Sequence, residues 1–206
     1  MNEPANDHTQ ANPGCLLIIS GPSGVGKSTL TNALLENLDA DLSVSMTTRP
    51  MSKSDVDGEH YHFVDVKTFE QTIIDQQFLE HAVYNGNYYG TPRKYVQEKL
   101  DSGRIVILEI DVEGARQVKQ SMPSSFAIFI KPPSEDALIE RLRGRQREDE
   151  ETIQKRFSLA KKEIAFAEST DVYDAFVVND DFDRAVEEIE TLIRRRLAAG
   201  NEPKLF

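Results

Sequence analysis

The chain has 206 residues, of which 39% are hydrophobic and 29% charged, proportions that fit a soluble globular protein and argue against a disordered or membrane-embedded one. With 24 basic against 35 acidic residues the formal net charge is −11, which argues against nucleic acid and membranes as partners and confines any anion site to local arginines, lysines and backbone amides. The polar residues 1–13 do not resemble a signal peptide and are expected to form a loose tail, and the single cysteine, Cys15, fits a reducing compartment such as the cytoplasm.

The first predicted elements surround a glycine-rich loop. An apolar run over Cys15–Ile19 predicts a buried strand, and leucines at helical spacing predict a helix over Lys27–Asn37. Between them lies GPSGVGKS, Gly21–Ser28, which matches the pattern G-x-x-x-x-G-K-[ST] in its required strand–loop–helix setting. Such a loop surrounds phosphate with backbone N–H groups. Lys27 can then bridge the outer phosphates of a nucleoside triphosphate, and the Ser28 hydroxyl can bind Mg²⁺.

The next segment departs from a regular alternation of strands and helices. It contains a polar, turn-rich stretch over Arg49–Gly58 and the stretch NGNYYGTP, Asn85–Pro92, which is expected to be a loop. The other elements predicted here are strands over Leu42–Met46, Tyr61–Val64 and Phe78–Tyr84, a helix over Val66–Asp75, and a helix opened by Pro92 that runs to about Ser102. We expect this segment to be an insertion into the main fold.

The remainder of the chain alternates again. Buried strands are predicted over Ile105–Ile110 and Phe126–Ile130, and a last strand over Phe176–Val178. Helices are predicted over Val112–Gln120, after Ser134 as N-cap, from about Thr152, and over Asp183–Arg196. Strands that alternate with helices predict an α/β fold in which a parallel sheet is covered on both faces.

Five arginines lie in or beside a charged stretch near the middle of this second half, at positions 141, 143, 145, 147 and 156. Charge alone fits a solvated pair of helices equally well. Their place in a second insertion, together with a triphosphate loop, favours side chains that reach a transferring phosphoryl group, an effect worth about 10³–10⁵ in rate. The arginines therefore indicate phosphoryl transfer.

Several stretches that follow the phosphate loop resemble the guanylate kinase family: SVSMTTRP, DGEHYHFV, FLEHAVYNGNYYGTP, LEIDVEGARQVK, FIKPPS, RLRGR and VVNDDFD. The resemblance extends from Gly14 to about Leu197. It implies a P-loop NTPase-like parallel sheet flanked by helices, with an inserted GMP-binding subdomain and a helical lid. On this division the core comprises residues 14–44, 98–134 and 157–199, the GMP-binding insertion residues 45–97, the lid residues 135–156, and the tails residues 1–13 and 200–206.

The resemblance also implies the reaction and the residues that carry it. A guanylate kinase transfers the γ-phosphoryl group of ATP to GMP, with dGMP expected as a further acceptor and Mg²⁺ as the cofactor. The positions that match ATP-binding residues are Gly21, Pro22, Ser23, Gly24, Val25, Gly26, Lys27, Ser28, Thr29 and Asn179. Catalytic roles are implied for Lys27, Arg141, Arg145 and Arg156. The positions that match GMP-binding residues are Ser45, Arg49, Tyr61, Glu80, Tyr89, Thr91 and Asp111.

The chemistry of these side chains agrees with the roles that the resemblance implies. Guanine presents two parallel donors, and one carboxylate, that of Glu80, can accept both. AMP lacks this pair and would leave the carboxylate partly unpaired. Without the resemblance, Tyr61 and Tyr89 also fit packing roles, and Asp111 also fits the N-cap of the following helix.

The chain departs from the family pattern at two places. Met51-Ser52 and Ser54-Asp55 stand where the family has a proline–arginine and a glycine–glutamate pair, so a second phosphate-binding arginine is missing, and Glu109 stands where aspartate is common. Two other functions remain open at this point. One is a non-catalytic interaction module of the same family, and the other is a related kinase for a different phosphate acceptor. A homo-oligomer is also left open.

Overall fold

The computed structural model describes residues 14–144 and 149–200. The strands are β1 (Cys15–Ser20), β2 (Asp41–Leu42), β3 (Met46–Thr47), β4 (His62–Phe63), β5 (Phe78–Tyr84), β6 (Asn87–Pro92), β7 (Ile105–Glu109), β8 (Phe126–Lys131) and β9 (Ala175–Val178). The helices are α1 (Lys27–Leu38), α2 (Val66–Ile74), α3 (Arg93–Asp101), α4 (Val112–Ser121), α5 (Glu135–Arg143), α6 (Glu150–Ser169) and α7 (Phe182–Gly200). Within the described ranges no helix is long and apolar enough to cross a bilayer.

The main sheet confirms the predicted α/β fold. Its strands run in the order β2-β7-β1-β8-β9, and each pair is parallel. All six residues of β1 are buried because helices cover both faces of the sheet. Leu17 and Ile19 pack with α1 and α7 on one face, whereas Leu16 and Ile18 pack with α3 and α4 on the other. Such a strand reads as a continuous apolar run, which is why the sequence shows no alternation there.

A second sheet, in the order β4-β3-β6-β5, forms between β2 and α3. The prediction of a single strand over Leu42–Met46 is wrong, because the structure has two short strands here, β2 and β3, which belong to different sheets. Asp41 and Leu42 pair with β7 of the main sheet, whereas Met46 and Thr47 pair with β4 and β6. The chain therefore leaves one sheet and enters the other within a few residues.

The prediction of a loop over Asn85–Pro92 is also wrong, because most of this stretch forms strand β6, which pairs antiparallel with β5. Asn85 and Gly86 form the turn, with φ values of 48° and 74°. An Asn-Gly pair with positive φ at both residues favours a tight hairpin whose twist matches that of its strands. This hairpin signal was present in the sequence.

Helices α5 and α6 pack together through their own apolar cluster of Leu138, Leu142, Ile153 and Ala160. Ser134 caps α5 as predicted, since its Oγ accepts a hydrogen bond from the Ala137 N–H. The predicted lid boundary between residues 156 and 157 lies inside α6, which continues without interruption to Ser169. The division into core, insertion and lid stays a prediction.

Candidate active site

The phosphate loop leaves β1 and enters the N-terminus of α1 with its backbone tightly wound. Gly26 has a φ of 97°, and a Cβ at this residue would lie 2.7 Å from Nδ2 of Asn179. Asn179 in turn donates from Nδ2 to the Val25 carbonyl at 2.8 Å. Asn179, which the sequence predicts to bind ATP, is thus buried and hydrogen-bonded to the loop, and only glycine fits beside it at position 26.

Lys27 and Ser28 occupy the first turn of α1, where N–H groups and the helix dipole favour an anion. Lys27 Nζ donates to the carbonyls of Gly21 and Pro22, at 2.6 and 3.3 Å. Ser28 Oγ donates to Glu109 Oε1 at 2.7 Å. Thr29 follows, exposed, on the same turn.

The Ser28–Glu109 pair fits the ligand chemistry of Mg²⁺. Magnesium prefers oxygen ligands, keeps several waters and is usually bound by one or two protein oxygens together with substrate phosphates. A hydroxyl and a carboxylate oxygen in contact at the phosphate loop satisfy this description. The described residues contain no group of three or more His, Cys, Asp or Glu side chains arranged for a metal held by the protein alone.

Two of the predicted arginines reach the loop from α5 and α6. Arg141 Nη1 donates to the Val25 carbonyl of the loop at 3.5 Å, and its Nη2 donates to the Asn179 carbonyl at 2.8 Å. Arg156 Nη2 donates to Ser23 Oγ. Arg143 instead pairs with Glu150, an exposed contact. Arg145 and Arg147 lie outside the described residues.

A cleft of about 970 Å³ opens in front of the loop, lined by Gly21, Ser23, Lys27, Tyr84, Glu109, Ile110, Asp111, Thr152, Arg156, Leu159 and Glu163. Sequence reasoning missed Tyr84, Ile110, Thr152, Leu159 and Glu163. A signal existed for the last two, because Leu159 and Glu163 follow Arg156 at spacings of three and seven and share its helix face. Burial raises the pKa of Glu163, and the nearby Lys27 partly offsets this.

A second pocket of about 340 Å³ adjoins this cleft, lined by Ser45, Tyr61, Glu80, Ala82, Tyr84, Tyr89, Glu109, Ile110 and Asp111. Glu80, Ala82 and Tyr84 line it together because alternate residues of a strand point to the same side. Six of the seven residues predicted to bind GMP either line this pocket or, in the case of Thr91, contact a side chain that does. Arg49, the seventh, lies beside the pocket-lining Tyr61.

Glu80 is the most strongly perturbed carboxylate of this pocket. Only 8% of the residue is exposed, and burial raises the pKa of its carboxyl to about 7. The Thr91 hydroxyl opposes this shift by donating to Glu80 Oε1 at 2.6 Å, whereas the charge of Asp111 adds to it. Gly114, on α4, lets the helix backbone lie close to the Glu80 carboxylate, since a Cβ at this residue would be only 3.3 Å from Glu80 Oε2.

Asp111 is the N-cap of α4, the structural role that the sequence left open for it, and it also lines both cavities. Its Oδ1 accepts a hydrogen bond from the Gly114 N–H at 2.8 Å and so caps α4. The cap fixes the carboxylate at the carboxyl end of β7, the edge of a parallel sheet at which ligands bind in open α/β folds.

Arg49 lies among aromatic rings and one acid. Its Cζ is 5.4 Å from the ring centroids of both Tyr61 and Phe63. Its guanidinium pairs with Asp55 through two hydrogen bonds. Tyr61 and Tyr89 meet edge to face at 5.8 Å, and burial raises the pKa of the Tyr61 hydroxyl. The guanidinium and the two phenols, which the family resemblance assigns to the phosphate of GMP, therefore lie in one cluster.

Comparisons with known proteins agree with this geometry. The family model described as guanylate kinase matches residues 14–196. The chain is 46% identical over 188 residues to a guanylate kinase of Nostoc sp., covering 90% of this chain and 93% of the relative. It is 44% identical over 185 residues to a guanylate kinase of Prochlorococcus marinus, covering 89% and 98%. Among solved structures, a guanylate kinase from Anaplasma phagocytophilum superposes with a TM-score of 0.69 at 34% identity, covering 90% of this chain and 87% of the other.

Proposed function

The chain belongs to the guanylate kinase family, and we propose on this premise that it transfers the γ-phosphoryl group of ATP to GMP, giving ADP and GDP. We propose dGMP as a further acceptor. The reaction joins a phosphate oxygen of the acceptor to the γ-phosphorus and breaks the bond between that phosphorus and the β–γ bridging oxygen of ATP.

The observation that supports this most directly is the wall shared by the two cavities. Tyr84 and the residues at the end of β7, Glu109, Ile110 and Asp111, line both the cleft at the phosphate loop and the pocket that contains Glu80. A triphosphate in the cleft and a monophosphate in the pocket would therefore meet across this wall. Direct transfer needs the reacting atoms about 3–3.5 Å apart, and adjoining sites allow it.

The proposed donor side acts through charge. Phosphoryl transfer needs little covalent help from the protein, so catalysis is mostly positioning and electrostatic stabilisation. Lys27 and the loop N–H groups would neutralise charge on the outer phosphates, and Arg141 and Arg156 contact the same loop at Val25 and Ser23. We keep Arg145 as a further catalytic residue on the family resemblance alone.

Ser28 and Glu109 would hold Mg²⁺, Ser28 directly and Glu109 beside it. When bound with ATP, the ion neutralises charge on the phosphates. Glutamate is one methylene longer than the aspartate that is common in the family. The contact between Glu109 and Ser28 places its carboxylate beside the proposed metal ligand despite this difference.

The proposed acceptor side acts through selection. Ionised Glu80 would accept both guanine donors, with Thr91 holding one carboxylate oxygen in place. Ser45 and Asp111 border the same pocket, and Arg49, Tyr61 and Tyr89 would bind the phosphate. We also propose the division into core, GMP-binding insertion and lid, and substrates that are small molecules. A cytoplasmic location remains a prediction.

A coupled assay of ADP formation tests the proposal against its alternatives. The purified chain with MgATP should turn over with GMP and dGMP and much more slowly with AMP. Turnover with ribose phosphates in place of GMP would instead identify a related kinase for another acceptor. Nucleotide binding without any turnover would favour a non-catalytic interaction module.

A further inference from the structure

The guanidinium of Arg49 is held at its end by the carboxylate of Asp55. Nη1 donates to Oδ2 at 2.9 Å and Nη2 donates to Oδ1 at 3.1 Å, a fork-to-fork arrangement. The Asp55 side chain is 12% exposed and that of Arg49 is 28% exposed, so solvent screens the pair incompletely. Such bidentate pairs fix orientation as well as supplying energy.

The carboxylate of Asp55 is itself fixed by the backbone. The Ser52 N–H donates to Oδ2 at 2.6 Å, which closes the turn that carries Asp55 back toward Arg49. Arg49 is tied at its own backbone, where its N–H donates to Thr47 Oγ1 at 3.1 Å. Both partners of the ion pair are therefore held to the second sheet or to the turn beside it.

A count of donors shows which N–H groups of the Arg49 guanidinium are already hydrogen-bonded. Arginine has five N–H donors. Nη1 donates to Asp55 and to the Pro50 carbonyl, and Nη2 donates once to Asp55. Among the hydrogen bonds of the described residues, the Nε–H and the second Nη2–H of Arg49 remain. These two lie parallel on one edge, the geometry that binds two oxygens of a phosphate.

We propose that Asp55 is a positioning residue for the phosphate of the acceptor, because it fixes the guanidinium of Arg49 over the Tyr61 ring and leaves this edge without a partner among the described hydrogen bonds. The proposal rests on the proposed function. The proposal is motivated by the departure from the family pattern at Ser52, which leaves the phosphate site with one guanidinium where the family pattern has two. A single long, flexible side chain loses much of its value if it must be ordered at each binding event.

Positioning predicts an effect on binding of the acceptor phosphate alone. In Asp55→Asn, an amide group would face the donors of Arg49, so the fork would be lost while the side-chain volume stays. We expect KM for GMP to rise about tenfold, the loss of roughly one charge-assisted hydrogen bond. KM for ATP should not change, and kcat should stay within about twofold because this phosphate is already charged before transfer.

Three comparisons separate positioning from a structural role. Asp55→Glu restores the carboxylate and should recover most of the affinity for GMP. Asp57→Asn is the matched control, since Asp57 Oδ1 accepts the Phe63 N–H in the same segment without contacting Arg49. In an Arg49→Lys background, which has no fork, Asp55→Asn should have little further effect.

Calorimetric titration with GMP and with guanosine completes the test, since guanosine lacks the phosphate. Asp55→Asn should weaken GMP and leave guanosine unchanged. A lower KM for GMP would mean that Asp55 competes with the phosphate, and equal losses for GMP and guanosine would mean that the pair only maintains the fold; either result overturns the proposal. If the unmutated chain phosphorylates GMP and Asp55→Asn leaves its KM unchanged, only the positioning role fails. If the unmutated chain neither binds nor phosphorylates GMP, the proposed function fails with it.

Discussion

The phosphate loop and the Glu80 pocket are the two proposed nucleotide sites, and they are built in opposite ways. The loop is one contiguous stretch, Gly21–Ser28, in which backbone N–H groups and the N-terminus of α1 would do most of the binding. The pocket gathers side chains from separate segments, including the residues around Ser45, Tyr61, Glu80 and Asp111. Backbone donors recognise phosphate whatever nucleoside carries it, whereas side chains from several segments can select one base.

This difference predicts where substitutions act. At the loop, charge develops on the transferring group, so a lost contact should raise the barrier and lower kcat. In the pocket, the groups that are recognised do not change during the reaction, so a lost contact should appear in KM and in the choice of base.

The largest effect is expected at Lys27. Lys27→Met removes the ammonium beside the Gly21 carbonyl while keeping an unbranched side chain, and we expect kcat to fall by about 10³-fold or more. Steady-state kinetics with circular dichroism would measure activity and fold together. Lys67→Met, an exposed substitution on α2, is the control. Near-normal activity of a folded Lys27→Met protein would contradict the proposed phosphoryl transfer.

Glu80→Gln should have the next largest effect, and it should act on base choice. One acceptor oxygen becomes an NH₂ group that faces a guanine donor, so kcat/KM for GMP should fall about 10²-fold. The preference for GMP over AMP should narrow with it. If the ratio of kcat/KM for GMP to that for AMP does not change in Glu80→Gln, Glu80 does not select the base.

A tenfold effect per pH unit is expected from the pKa of Glu80, which burial raises to about 7. The ionised carboxylate is the form that accepts two donors, and it is lost as the pH falls through this value. KM for GMP should therefore rise about tenfold for each unit below pH 7, with no matching change in KM for ATP. The phosphate of GMP also titrates, near pH 6, so Glu80→Gln supplies the baseline. A profile with the same slope in Glu80→Gln would assign the effect to the substrate.

The same contrast explains how much could be predicted from the sequence. The main sheet and the loop follow from local signals, because β1 is a buried apolar run and the loop pattern has fixed spacing. The sequence prediction is wrong at the hairpin formed by β5 and β6. Asn85-Gly86 is a turn signal there, but the aromatic stretch that follows shows no regular alternation of apolar and polar residues.

The pocket could be predicted only through the family resemblance. No local pattern says that the Thr91 hydroxyl lies 2.6 Å from Glu80, because that contact depends on the pairing of β5 with β6. Nor does the sequence tell that Asp111 both caps α4 and faces the pocket, or that Asp55 reaches Arg49. These contacts require tertiary structure.

The smallest effects are expected at the turn that holds Asp55, where Ser52 and Lys53 are exposed. Ser52 lies next to the partner of Arg49, since its N–H donates to Asp55 Oδ2 at 2.6 Å, and this bond survives a change of side chain. Ser52→Arg would add a second planar set of donors near the acceptor phosphate, and we expect KM for GMP to fall severalfold with little change in kcat. Lys53→Ala should raise KM by a similar factor if the lysine partly replaces the missing arginine. Kinetics at saturating MgATP measure both, with Lys67→Ala as the control for loss of a distant surface charge. If KM moves in neither variant, the turn over residues 50–58 does not reach the phosphate, and selection of the acceptor rests on Arg49, Tyr61 and Tyr89.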